Sequence, residues 1–376
     1  MANNSAKHIK KPKKPFPRMM QTPLSMAIRL AFTPALAVGL PTATNLARGI
    51  ARGFAAAPFN RKRLKRAMDH LAIAYPDWDE ERRRVYAIRG YEHLFELGAE
   101  LAYTTRQINH DGWLRHLSLT DIIPAIRPLL EGKPCILITG HCGNWELIGY
   151  SIAMLGFPMH AVYRPLDLKP LDEWVRTSRE RRGLTLVNKF GAVRALPPVV
   201  GAGVPAGFVA DQNGGDRGVF VPFFGRLTST YKSIGLLAMQ FNATIICGCA
   251  RRLQPGEVLP RHPLPVGPVL DGAPSMRYAV ETTDVFGPAE WSTHPDPLFY
   301  LTARYRRAIE MMVRRAPEQY LWMHRLWRSR PAHERQGKPF PDALRRKIEL
   351  LPWVSSADVE QIVDRSQRDA ADISSF

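Results

Sequence analysis

The sequence predicts an α/β protein with a mixed, largely parallel sheet covered by helices on both faces and preceded by N-terminal helices. Three observations carry this. Beyond Pro134, short β-rich runs alternate with helical ones at the pitch of strand-helix-strand units. The apolar runs Ile136–Thr139, Gly207–Ala210 and Ala243–Cys249 are nearly continuous, as befits strands buried on both sides. From Arg61 to Ile108, apolar residues recur every three or four positions, including Leu64, Met68 and Leu71 and then Ile88, Tyr91 and Leu101.

In chain order, the first 60 residues form a basic, weakly apolar segment. Lys7, Lys10, Lys11, Lys13, Lys14 and Arg18 carry its charge with no acid among them. The stretch Leu30–Ala47 that follows is interrupted by Pro34, Gly39 and Pro41. Spanning hydrocarbon takes roughly 20 predominantly apolar residues, so surface association is expected in place of a crossing. A basic flank adds on the order of 1 kcal/mol per Lys or Arg beside an anionic leaflet. Residues 61–331 are expected to form the main domain and 332–376 a helical tail. Within the domain, further strands are expected at His160–Arg164 and Leu184–Val187. Helices are expected at Ile148–Met154, Leu171–Arg182, up to Val200, and Lys232–Phe241. Leu253–Pro297, rich in Pro and Gly, reads as an irregular excursion or lid. A helix then follows whose apolar face is Leu298, Leu301, Tyr305, Ala308 and Met312.

The chain has 376 residues, 45% hydrophobic and 23% charged, which is the composition of a folded protein. A formal net charge of +18 points to anionic partners: a membrane surface, an acidic protein or nucleic acid. A nucleic-acid-binding protein is the rival class that this charge suggests, but no helix-turn-helix, RNP-like or zinc pattern accompanies it, so no nucleic acid partner is expected. Cys135, Cys142, Cys247 and Cys249 form no CxxC pair, which argues against a metal centre or a disulfide framework and suits a reducing cytosol. No cofactor is called for.

The chemistry concentrates in Ile136-Leu137-Ile138-Thr139-Gly140-His141-Cys142-Gly143-Asn144-Trp145-Glu146, where an apolar strand enters a glycine-flanked turn and a helix begins. Residues at the carboxyl end of such a strand stand where α/β sheets bind ligands. His141 has the titration range of a general base. A carboxylate at Glu146, five residues on, can hold the ring's other nitrogen, so a hydroxyl acceptor attacks without an enzyme nucleophile. The competing reading makes His141 a hydrogen-bonded turn residue and Glu146 an ordinary first-turn acid. A second rival makes Cys142 a nucleophile activated by His141.

The segment Gly140–Glu146 resembles the signature of the late acyltransferases of lipid A biosynthesis, the lauroyl/myristoyl transferases of the lysophospholipid-acyltransferase-like superfamily. Three further blocks follow in the same order: Tyr163-Arg164-Pro165, Asp211-Gln212 with Phe220–Gly225, and Pro317–Arg325. The resemblance covers roughly residues 60 to 331 and implies a glycerol-3-phosphate-acyltransferase-like fold. It also implies an enzyme on the cytosolic face of the inner membrane. Such an enzyme transfers an acyl chain from acyl carrier protein to a 3-hydroxyacyl hydroxyl of an anionic lipid A precursor. Another glycolipid, glycerolipid or amino-lipid is the alternative acceptor. Position by position, His141 becomes the base and Glu146 its partner. Arg164, Asp211, Gln212 and Asn144 become substrate-binding residues, Phe223 part of an apolar wall for the acyl chain, and Arg325 a phosphate contact.

Overall fold

The computed structural model describes residues 17–109, 112–180, 183–254, 256–257 and 276–371. Helices α1 (Arg18–Ala37), α2 (Leu40–Ala56), α3 (Arg61–Ala74) and α4 (Glu80–Gln107) open the chain. Asp79 caps α4 by accepting from the Arg82 amide, and Glu80 and Glu81 favour its positive N-terminal end. Small residues let α2 lie close on α4: Ala51 and Ala55 pack with Tyr91.

Strand β1 (Leu117–Thr120) and helix α5 (Ile123–Leu130) lead into β2 (Cys135–Thr139), α6 (Trp145–Met154), β3 (Met159–Tyr163) and α7 (Lys169–Glu180). Next come β4 (Leu184–Asn188), α8 (Ala192–Gly201) and β5 (Ala206–Val209), then a hairpin of β6 (Val219–Phe223) and β7 (Arg226–Thr230). Helix α9 (Lys232–Phe241) and strands β8 (Thr244–Arg252) and β9 (Tyr278–Phe286) complete the strand set. The remaining helices are α10 (Pro288–Trp291), α11 (Pro297–Arg315), α12 (Ala332–Arg335), α13 (Asp342–Glu349) and α14 (Ser356–Ala371).

Seven strands form one sheet in the order β1-β9-β8-β2-β5-β3-β4, parallel throughout except between β8 and β9. This is the expected α/β class, with β2, the strand that carries the motif, at the centre. β2 is buried along its whole length, as a parallel strand covered on both faces must be. Two expectations change. Leu253–Pro297 is not irregular throughout: β9 lies inside it and joins β8 to β1, while 258–275 fall outside the described residues. The stretch around Phe223, expected to wall the acyl chain, is strand β6 of the β6–β7 hairpin packed on α11.

The C-terminal helices are tied to the hairpin through a buried ion-pair cluster. Arg226 donates to both carboxylate oxygens of Asp369 at 2.6 and 2.8 Å, and Arg330 bridges Asp369 and Glu334 at 2.8 and 2.7 Å. Each charge there has its opposite, which meets the main cost of burying it. Among the described residues, no helix is long and apolar enough to cross a membrane.

Candidate active site

The turn after β2 is fixed by backbone demands. Gly143 has φ +56, and a Cβ there would stand 2.1 Å from the Ala250 carbonyl oxygen, so this position needs glycine. The turn is then stitched to two neighbours. The Gly143 amide donates to Gln319 at 3.0 Å, the Asn144 amide to Ala250 at 2.7 Å, and the Leu321 amide to the His141 carbonyl at 3.2 Å. The Gly143 carbonyl meets His93 Nε2 at 2.9 Å. Burial pushes His93 down to about 3, which keeps that ring neutral.

Held this way, His141 reaches Asp211 at the end of β5: Nδ1 and Oδ1 are 2.6 Å apart. Asp211 is fully buried, and burial alone would raise its carboxyl. His141 first, then Arg306 and His324, outweigh that effect and hold it well below the carboxylate range. Arg306, itself fully buried, is anchored by a bond to the Ala210 carbonyl at 3.2 Å. An ionised Asp211 accepts the Nδ1 proton of His141, leaving Nε2 unprotonated with its lone pair available as a base. Gln212 brings its side-chain nitrogen to 3.5 Å from that Nε2. Trp145 stands edge-on to the imidazole and His324 stacks on it, each with ring centroids 5.0 Å away. Burial and the neighbouring His141 push His324 down to about 4, so this second ring is uncharged at neutral pH.

His141 opens onto a cavity of about 770 Å³. Its walls are mainly apolar, with Leu129, Ile152, Met159, Leu184 and Ile246 among them, and His141, Glu146, Arg164, Arg179 and Gln212 supply polar groups. The volume and lining suit a long hydrocarbon chain with a reacting polar end.

The structure thus brings four of the residues singled out by sequence to one cavity: His141, Glu146, Arg164 and Gln212. Asp211 sits directly behind the imidazole, in contact with it and not with the cavity. Glu146 projects from the first turn of α6 to Arg179 of α7, with which it forms an ion pair. Asn144 is buried; its side chain caps α6 by accepting from Leu147 at 3.2 Å and donates to Glu100 at 3.4 Å. Phe223 is fully buried beneath Arg306, 4.0 Å from its guanidinium, and does not line the cavity. Arg325 is exposed and lies outside the cavity lining. Cys142 is buried with Sγ 3.9 Å from Met312 Sδ, and burial pushes its thiol well above the ordinary range, which argues against a thiolate nucleophile.

Arg306 and Glu100 were not among the residues that the sequence singled out, and His324 entered only within the Pro317–Arg325 block. Glu100 is the buried hub of the support: it also receives Tyr278 and Arg252. One sign was available in sequence: a carboxylate inside an otherwise apolar stretch of α4 needs a buried partner.

Residues 13–329 match the family described as bacterial lipid A biosynthesis acyltransferase. The chain is 28% identical over 309 residues to a lipid A biosynthesis lauroyltransferase of Escherichia coli (strain K12), covering 79% of this chain and 89% of that protein. It is 25% identical over 282 residues to a lipid A biosynthesis acyltransferase of Haemophilus influenzae, covering 72% and 77% of the two chains. A lipid A biosynthesis palmitoleoyltransferase of Escherichia coli is 25% identical over 289 residues, covering 75% of this chain and 84% of its own.

Proposed function

The chain belongs to the bacterial lipid A biosynthesis acyltransferase family, and from that premise we propose that it moves a fatty acyl chain from acyl carrier protein to a hydroxyl of a lipid A precursor, with His141 as general base and Asp211 as the group that orients it. The observation that carries this reading is the 2.6 Å contact between His141 Nδ1 and Asp211 Oδ1 at the wall of the apolar cavity.

In the proposed reaction, His141 Nε2 takes the proton of the acceptor hydroxyl as that oxygen attacks the thioester carbonyl carbon. The imidazolium that forms is stabilised by the ionised carboxylate behind it. The tetrahedral intermediate collapses with cleavage of the carbon-sulfur bond, and the departing thiolate receives the proton from His141. An ester and a free carrier thiol result. Gln212, whose side-chain nitrogen stands 3.5 Å from His141 Nε2, is the donor we assign to the developing oxyanion, and Arg164, exposed at the cavity wall, is assigned to an anionic group of the substrate. Glu146, expected from sequence to pair with His141, is assigned instead to hold Arg179 at the cavity wall, where the guanidinium can meet an anionic group of the substrate. The basic surface suits both an acidic carrier protein and a phosphorylated lipid on the cytosolic face of the inner membrane.

Mass spectrometry of an under-acylated lipid A precursor incubated with lauroyl or myristoyl carrier protein tests this. One added acyl mass with the wild type is expected. Transfer from the same donor only to a different membrane lipid would keep the reaction and overturn the acceptor.

A further inference from the structure

The turn between β4 and α8 and the first turn of α8 present two large apolar side chains to solvent beside the cavity. Phe190 is 81% exposed and Val193 78% exposed, and both contribute to the cavity lining. This exposure is built into the turn. The Phe190 amide donates to Asn188 Oδ1 at 3.1 Å, the Gly191 amide to the Asn188 carbonyl at 3.0 Å, and the Lys189 amide to the Tyr163 carbonyl at 3.0 Å. Leu166, on the neighbouring loop after β3, adds a third exposed apolar group to the same rim. Residues 188–195 carry Lys189 and Arg194 and no acid, and both side chains are exposed. Arg164 supplies a third cation on the rim.

Apolar tips among cations are the composition of a surface that dips into an anionic lipid interface. The surroundings continue the pattern. β4 is the edge strand, α7 packs on it, and α1 lies against α7 with Arg29 5.5 Å from the Trp174 ring. Along α1, Met19, Met20, Met26 and Leu30 are exposed.

We propose that the segment bearing Phe190 and Val193, the β4–α8 turn with the start of α8, is a membrane-inserting element that presses the cavity mouth onto an anionic bilayer, so that the lipid acceptor passes from bilayer to cavity without crossing water. This rests on the reading of the cavity as the site of acyl transfer. The physical reason is the substrate's own: each methylene drawn into water weakens partitioning about four-fold, so an acyl chain needs a continuous apolar path. A carrier protein would be drawn by the cations, but they alone do not account for two isolated apolar tips held out in solvent.

The test uses Phe190→Cys carrying an environment-sensitive fluorophore; the four native cysteines are all buried, so the label is selective. A Ser356→Cys label on α14 serves as control. With vesicles of phosphatidylglycerol and phosphatidylethanolamine, the probe at 190 should shift to the blue and be quenched by brominated acyl chains, while the control stays unchanged. The Phe190→Asp, Val193→Asp double variant, checked for an unaltered melting temperature, should raise KM for vesicle-borne acceptor roughly ten-fold or more beyond any change in KM for the same acceptor dispersed in detergent micelles. A probe that remains solvent-like while the protein cosediments with vesicles would overturn the proposal. So would a probe that responds to acyl carrier protein and not to vesicles. The fluorescence readout involves no turnover, so it is independent of whether the assigned reaction is correct.

Discussion

His141 Nδ1 and Asp211 Oδ1 meet at 2.6 Å although 70 positions separate them in sequence. The two stand at the carboxyl ends of adjacent strands: β2 pairs with β5, with Thr139 opposite Val209. The sheet register therefore delivers the carboxylate to the imidazole.

Cys142→Ala should retain most of the activity, because the thiol is buried against Met312 and does not reach the cavity. A loss of two or more orders of magnitude in kcat would support a cysteine nucleophile.

Gly143→Ala should be severe in both stability and activity. A side chain at φ +56 is strained, and its Cβ would overlap the Ala250 carbonyl oxygen. A cost of at least roughly 2 kcal/mol in urea unfolding is expected, with kcat falling further because His141 is two residues away. Near-normal stability would mean that the turn is not held as described.

Glu146→Gln and Arg179→Gln should be non-additive, since the two side chains form one ion pair at the cavity wall. In a double-mutant cycle on kcat/KM, the double variant should lose about as much as the worse single variant. Strict additivity would show that Glu146 acts independently of Arg179, as a direct partner of His141 would.

Stability should fall as the medium is acidified from neutral. His70 is pushed down to about 4 and His93 to about 3, both chiefly by burial, and His324 to about 4 by burial and His141. These rings stay neutral in the fold, while in the unfolded chain they take up protons near 6.5. Below that value the unfolded state binds more protons, so the loss runs from about pH 6.5 down to the folded-state values. It amounts to on the order of 2 kcal/mol per buried ring at pH 5. Chemical denaturation at pH 7.5 and pH 5 should show this difference, and His70→Gln should reduce it.

Much of this arrangement was legible in sequence, for identifiable reasons. His141 was readable because strand, glycine turn and helix start lie within a dozen consecutive residues, so local pattern alone places it at a strand end. Asp211 and Gln212 were recognised as site residues, but their roles were not, because pairing depends on which strands become neighbours. The direction of Glu146 depends on helical phase: with Asn144 as cap, the second residue of α6 turns to α7. β9 was hidden because its run of Thr, Val and Tyr follows a Pro- and Gly-rich stretch, and only pairing with β8 and β1 reveals it as a sheet strand. Glu100, far from the motif in sequence, joins the site only because α4 packs beneath the turn.

The most direct test of the account is the turnover number of Asp211→Asn, measured by mass spectrometry of acyl transfer beside the wild type and His141→Ala. An amide keeps the shape but removes the charge that fixes the tautomer, so kcat should fall on the order of 10³-fold or more, approaching His141→Ala, with a smaller change in KM. Retention of more than about a tenth of the wild-type kcat, with His141→Ala inactive, would contradict Asp211 as the orienting group and return that role to Glu146.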